Sequence, residues 1–263
     1  MNRSIRQNDS QSDNSMISEW HTPPENLSLD QNEIHVWRCF LNQSAQQINA
    51  LAETLTNDEA KRAERFHFER NRLHFISARG VLRVILGQYL RSNPRDVRFI
   101  YGRNGKPSLA GEKGARLSFN VSHSRDIALY AFTYDRKVGV DIEYIDRDRA
   151  IAHIVERFYS PGEIAAFQSL PTDKQHDAFF TYWTFKEAYL KAEGTGLSFG
   201  LDKVEISLDP EKHAALAAID GDAQRAALWS LKTLDAAEDY AAALAVNGHG
   251  LALKNWQWGI TQP

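Results

Sequence analysis

At 263 residues, with 43% hydrophobic and 25% charged side chains, the chain has room for one domain or two modest ones and for a substantial core. A formal net charge of −3 supplies no overall basic field, which argues against non-specific nucleic-acid binding but leaves room for local cationic clusters. The single cysteine, Cys39, excludes an intramolecular disulfide and any CxxC metal or redox site; its apolar neighbours predict a buried, inert thiol.

No apolar run approaches the ~20 residues of a spanning helix, and the N-terminus lacks the apolar core of a signal peptide. A cytoplasmic protein is expected. From Met1 to about Asn26 the chain is rich in Ser, Asn, Gln and Asp and reads as a mobile tail closing by residue 30. A strand follows at Glu33–Phe40, where Ile34 and Val36 alternate with polar residues. Ile48, Leu51 and Leu55 predict a helix over Ala45–Leu55, and Thr56-Asn57-Asp58-Glu59 is a capping box opening another, which carries Lys61, Arg62 and Arg65. The stripe Phe75, Ala78, Leu82, Ile85, Leu86 and Tyr89 predicts a long helix over Arg70–Leu90, stopped by Asn93-Pro94.

Short strands are predicted at Val97–Tyr101, Leu117–Val121, Ile127–Thr133 and Val138–Glu143, with turns at Gly102-Arg103-Asn104-Gly105 and Asp135-Arg136. The pattern then restarts. Ser160-Pro161-Gly162-Glu163 is a second capping box with proline at N1, and a strong helix over Lys174–Glu193 ends at Gly194. Further strands are predicted at Lys203–Leu208, Leu228–Leu234, Tyr240–Val246 and Trp256–Trp258. Helices followed by strands, twice over, predict an α+β protein of two similar lobes, 31–136 and 137–263, with a ligand cleft between them.

Four segments carry candidate chemistry. In Val138-Gly139-Val140-Asp141-Ile142-Glu143, strand alternation sends Val138, Val140 and Ile142 into a core and Gly139, Asp141 and Glu143 to the other face. Two carboxylates roughly 6–7 Å apart along a strand can share one hard cation, and the glycine leaves room for a ligand. A solvated edge-strand face fits the same pattern. On the long second-half helix, Trp183, Glu187 and Lys191 recur at i, i+4, i+8. Glu187 offers a third oxygen ligand and Lys191 a cation for a phosphate, a set that suits Mg²⁺; a surface Glu–Lys pair is the plainer alternative. In Leu117-Ser118-Phe119-Asn120-Val121-Ser122-His123-Ser124, Leu117, Phe119 and Val121 point inward, and the strand delivers Ser122 and His123 at its end. Adjacent strand residues face opposite ways and no G-x-S-x-G elbow is present, so donors for a phosphate fit better than a hydrolase pair. Last, Arg103-Asn104-Gly105-Lys106-Pro107 is a cationic turn whose lysine can reach an anion or simply be solvated.

Taken in order, Gly-Lys-Pro, Phe-Asn-Val-Ser-His-Ser, Gly-Val-Asp-Ile-Glu and Trp-x-x-Lys-Glu-Ala-x-x-Lys resemble the 4′-phosphopantetheinyl transferase superfamily in its longer, Sfp-type branch, over about Lys61 to Phe199. The resemblance implies two similar α+β lobes with coenzyme A in the cleft. It implies that Asp141, Glu143 and Glu187 hold Mg²⁺ against the pyrophosphate, with Lys191 on the same group. Lys106 and Pro107 would line the adenine and 3′-phosphate end, Ser122 and His123 would meet the phosphates, and Arg62 and Arg79 would reach the 3′-phosphate. Asp141, Glu187 and Lys191 would carry the chemistry: a carrier-protein serine attacks the phosphorus bearing pantetheine, 3′,5′-ADP leaves, and Glu187 accepts the serine proton directly or through a water on the metal. The implied partner is an apo acyl or peptidyl carrier protein, met by a monomer that engages neither nucleic acid nor membrane. Phe158-Tyr159 and Ile164–Phe167 beside Arg157 are apolar candidates for docking it, or else core. Two other readings use the same residues: a Mg²⁺-dependent nucleotide phosphodiesterase, and a non-catalytic coenzyme A-binding module, against which the full carboxylate triad argues.

Overall fold

The computed structural model describes residues 19–111, 114–207 and 214–259. Most of the expected tail, and Leu208, lie outside the described residues. Residues 19–30, grouped with the tail on composition, lie against the body: His21 exchanges backbone hydrogen bonds with Asn255 and Gln257, and Leu29 is buried.

The first half runs β1 (Glu33–Phe40), α1 (Ala45–Glu53), α2 (Asn57–Glu64), α3 (Glu69–Leu90), β2 (Phe99–Tyr101), β3 (Pro107–Leu109), β4 (Leu117–Ser124) and β5 (Ile127–Tyr134). The second runs β6 (Val138–Tyr144), α4 (Ala152–Phe158), α5 (Pro161–Gln168), α6 (Thr172–Glu193), β7 (Val204–Ser207), β8 (Ala215–Ile219), α7 (Ala223–Ala226), β9 (Trp229–Thr233), β10 (Tyr240–Asn247) and β11 (Ala252–Gln257). Both capping boxes form, Thr56 with Glu59 and Ser160 with Glu163. Helix α3 ends on Arg91 in the left-handed region, and Pro94 begins a short 3-10 turn beyond it. Gly194 at φ 75° closes α6.

A four-stranded sheet has the order β11-β1-β5-β4 and a three-stranded sheet the order β6-β10-β9. Strand β5 is apolar on both faces because both are covered: Ala128, Tyr130 and Phe132 join Trp37, Leu82 and Ile85 beneath α1–α3, while Leu129 and Ala131 join Ile34 and Val36 on the other side. That other side packs on the second sheet through Val138, Val140, Ile142 and Leu244. The outer face of the second sheet takes α6, with Ala243 and Ala245 against Phe185, Ala188 and Tyr189. The result is an α+β stack of helices, sheet, sheet and helix. The final strand β11 departs from a simple two-lobe division. It pairs in parallel with β1, Trp256 opposite Trp37, so segment 137–263 contributes to both sheets.

On β4, Leu117 and Phe119 are buried and Val121 packs against the same core, as the alternation predicts, while Asn120 and Ser122 are buried too because the second lobe covers the strand's polar face. One expectation changes. Gly139 leaves room for helix α6 rather than for a ligand: a Cβ there would stand 2.0 Å from Ala188 O and 2.5 Å from Ala192 N. Gly139→Ala is therefore expected to cost about 3 kcal/mol or more of stability in denaturant melts. A loss under about 1 kcal/mol would show that the helix can step back freely.

Candidate functional site

Strand β6 is an edge of the second sheet and lies beside β4, an edge of the first, with no backbone ladder between them. Side chains of β4 replace that ladder. Asn120 Oδ1 accepts from Val140 N at 2.9 Å, and Ser124 Oγ accepts from Tyr144 N at 3.0 Å and donates to Glu143 Oε2 at 3.1 Å. Between them Ser122 Oγ donates to Asp141 Oδ1 at 2.9 Å. Buried amides of β6 are thereby satisfied, and the carboxylates of Asp141 and Glu143 are held on the face that meets α6.

The close approach of α6 at Gly139 brings Lys191 over that face. Its Nζ lies 2.5 Å from Asp141 Oδ1 and 2.7 Å from Ser122 Oγ, with the lysine side chain 30% exposed. Asp141 is buried, and its Oδ2 has no hydrogen-bond partner. Burial pushes the Asp141 carboxyl above its ordinary pKa. Burial, then the Asp141 charge, does the same to Glu143. Glu187 is pushed up to about 7 by burial and by the charges of Asp141 and Glu143, against the opposing pull of Lys191. Asp141 raises the pKa of Glu143, and both raise that of Glu187, so the three carboxylates occupy one electrostatic neighbourhood.

Among the described residues no group of three or more His, Cys, Asp or Glu side chains stands arranged to hold a metal ion. Mg²⁺ does not require such a group, since it takes one or two carboxylates and completes its shell with water and phosphate oxygens. The orphaned Asp141 Oδ2, beside two carboxylates whose pKa values are raised by burial and by their acidic neighbours, fits such an ion.

Next to this cluster, reached through His123, is a cavity of about 780 Å³ whose lining includes Arg62, Arg70, Arg79, Arg125, His74 and His123 against a single acid, Asp126. Phe66 and Phe75 supply apolar wall, and Pro107 sits on its rim. Desolvation, then the nearby Lys191 charge, holds His123 below its ordinary pKa. Arg62 lies over the Phe75 ring at 5.2 Å. Arg79 stacks on Phe99 at 3.9 Å and is ion-paired with Glu59, which Arg83 also grips. Positive charge with aromatic and aliphatic wall suits a polyanion attached to a flat ring.

The structure thus brings Asp141, Glu143, Glu187, Lys191 and Ser122 together, and places His123, Arg62, Arg79 and Pro107 on the adjoining cavity. Lys106 is elsewhere. It lines a neighbouring depression, which meets the cavity at Pro107, beside Lys137 and Glu193, where burial lowers its pKa to about 8. Sequence reasoning missed Asn120 and Ser124 as braces for β6, although their alternation with Ser122 was visible. It also missed Arg70 and His74, whose i, i+4 spacing on α3 was the available signal. Tyr159 and Phe167 are buried in the second-lobe core, with Phe158 and Ile164 packed against it, so these apolar candidates for docking are core residues. No helix among the described residues is long and apolar enough to cross a membrane.

Comparison with known proteins agrees with this geometry. Residues 137–245 match the 4′-phosphopantetheinyl transferase superfamily model, and residues 41–134 match a model of the 4′-phosphopantetheinyl transferase N-terminal region. The 4′-phosphopantetheinyl transferase HetI of Nostoc sp. is 42% identical over 241 residues, 91% of this chain and 98% of that protein. The 4′-phosphopantetheinyl transferase Sfp of Bacillus subtilis is 26% identical over 163 residues, 62% of this chain and 70% of that protein. A crystal structure of holo-(acyl-carrier-protein) synthase from Thermotoga maritima overlays 43% of this chain and 64% of its own, with a TM-score of 0.33 at 21% identity, a partial likeness only. With a relative so similar over nearly its whole length, the chain belongs to the 4′-phosphopantetheinyl transferase superfamily, in its longer, Sfp-type branch.

Proposed function

We propose that the chain moves the 4′-phosphopantetheine arm of coenzyme A onto a serine of an apo acyl or peptidyl carrier protein, with Mg²⁺ held by Asp141, Glu143 and Glu187. The observation that carries this reading is the buried, unpartnered Asp141 Oδ2 among carboxylates with raised pKa values, next to an arginine- and histidine-lined cavity. When bound, Mg²⁺ supplies charge neutralisation to a pyrophosphate. Lys191, already 30% exposed to the cleft, holds a bridging phosphate oxygen and steadies Asp141. Arg62, Arg79 and His123 take the remaining phosphate charge, and Pro107 borders the base. Ser122 orients Lys191 and Asp141 by bonding both. Glu187 accepts the serine proton, directly or through a water, as the new phosphorus–oxygen bond forms and adenosine 3′,5′-bisphosphate departs. In the same reading, lobes 31–136 and 137–263 flank the nucleotide, and the enzyme acts as a cytoplasmic monomer without nucleic-acid or membrane partners.

The test combines coenzyme A, Mg²⁺ and an apo carrier protein and weighs the carrier. A gain of one phosphopantetheine mass is expected, and Glu187→Gln should slow that gain by about a hundredfold. Near-normal transfer by the variant would remove Glu187 as the base. Nucleotide release from coenzyme A without any carrier, and no mass gain with one, would make the protein a phosphodiesterase instead.

A further inference from the structure

The last turn of α6 leaves carbonyl groups without partners inside the helix, as any helix end does. Here the partners come from the other lobe. The hairpin β2–β3 turns through Gly102–Gly105, closed by Gly102 N to Lys106 O at 3.0 Å and Gly105 N to Gly102 O at 2.9 Å. From that turn Asn104 Nδ2 donates to Gly194 O and Thr195 O, each at 2.9 Å. Lys106 Nζ donates to Ala192 O at 2.8 Å and leans on Val138 O at 3.4 Å. Ala192 lies one residue after Lys191 and one before the last residue of α6, and Val138 begins the strand that carries Asp141. Both lie at the point where Gly139 lets strand and helix touch.

We propose that Asn104 and Lys106 form a helix cap supplied across the lobes, and that Lys106 is a positioning residue for Lys191 and Glu187 rather than a contact for the nucleotide. A cation at a helix C-terminus also meets the negative end of the helix dipole. The ammonium is spent on two backbone carbonyls and lies outside the lining of the arginine-rich cavity. The hairpin therefore fixes how far α6 slides along β6, and with it the spacing between the helix-borne Glu187 and Lys191 and the strand-borne Asp141 and Glu143. The inference rests on the reading of those four residues given above.

Lys106→Gln, Lys106→Arg and Asn104→Ala test it in the full-length protein. Amide exchange over residues 189–196, measured without substrate or metal, is expected to quicken in Lys106→Gln and Asn104→Ala, while α3 keeps its protection. Transfer should lose about tenfold in kcat with KM for coenzyme A changed by less than about twofold, because misplacement rather than binding is affected. Lys106→Arg should recover most of the rate. If KM for coenzyme A instead rises about tenfold while exchange and kcat stay put, Lys106 is a ligand contact and the inference fails. It fails equally if melting temperature drops with kcat intact, or if nothing changes. Asn104→Ala keeps the test open should Lys106→Gln not fold. A wild-type protein without transferase activity would sink the functional reading alone, since the exchange arm still reports on the cap.

Discussion

Asp141→Asn is expected to slow phosphopantetheinyl transfer by about a thousandfold, ~4 kcal/mol of barrier, while leaving the fold intact. Asparagine keeps the shape of the side chain and the acceptor at Oδ1, so Ser122 and Lys191 retain a partner at 2.9 Å and 2.5 Å. What it loses is the negative charge and the free lone pairs at Oδ2, the buried atom without a partner. In their place an amide NH₂ group, a donor, would point where a cation is expected. Burial already raises the pKa of this carboxyl, so the fold gains little from its ionised form and the variant should melt no lower than the parent. Carrier mass against time reads the rate, and thermal melting reads the fold. Transfer within about tenfold of the parent would mean that Asp141 does not hold the metal.

The largest stability effect is expected at Lys186, which the Trp-x-x-Lys-Glu-Ala run places next to Glu187 but which points the opposite way. Its side chain is fully buried, with Nζ 2.7 Å from Glu163 Oε2 and 2.8 Å from Leu201 O. Glu163 in turn accepts from Ser160 N and Ile206 N, both at 2.8 Å. The pair therefore ties the start of α5, the middle of α6 and the approach to β7 into one buried network. Lys186→Met leaves a buried carboxylate with no counter-charge and should cost about 3–5 kcal/mol in urea or guanidinium unfolding. Adding Glu163→Gln should restore part of that loss, since the stranded charge is then gone. If Lys186→Met alone costs less than about 1 kcal/mol, or the double variant is simply additive, the two residues do not act as a unit.

Periodicity made the core of the site legible. Strand alternation put Asp141 and Glu143 on one face, and the four-residue spacing put Glu187 and Lys191 on one side of a helix, without any knowledge of how the two elements meet. Periodicity could not show the meeting itself. Gly139 suggests space for a ligand in sequence, since a missing side chain looks the same whether a helix or a substrate fills the gap. An anion contact and a solvated lysine are the readings that local sequence offers for Lys106, because Ala192, whose carbonyl it caps, lies 86 residues away. Asn120 and Ser124 looked like ordinary polar strand positions because their partners are backbone amides of another lobe. Among the elements, β3 and α7 are short, and β8 has no strong alternation to announce it. For β11 the pattern predicts only Trp256–Trp258, because the two tryptophans dominate it, whereas pairing with β1 starts the strand at Ala252.

That parallel pairing has a bearing on how the protein is made. Strand β1 leaves the ribosome about 219 residues ahead of β11, yet the two lie side by side in one sheet, Glu33 opposite Ala252. Until β11 arrives, one edge of β1 has no strand beside it and Trp37 lacks the ring of Trp256, 6.5 Å away in the finished fold. The first lobe thus cannot complete its sheet ahead of the second, as a unit folding during translation would. The nascent chain carries an open strand edge until β11 emerges, a template for mispairing that β11 then covers.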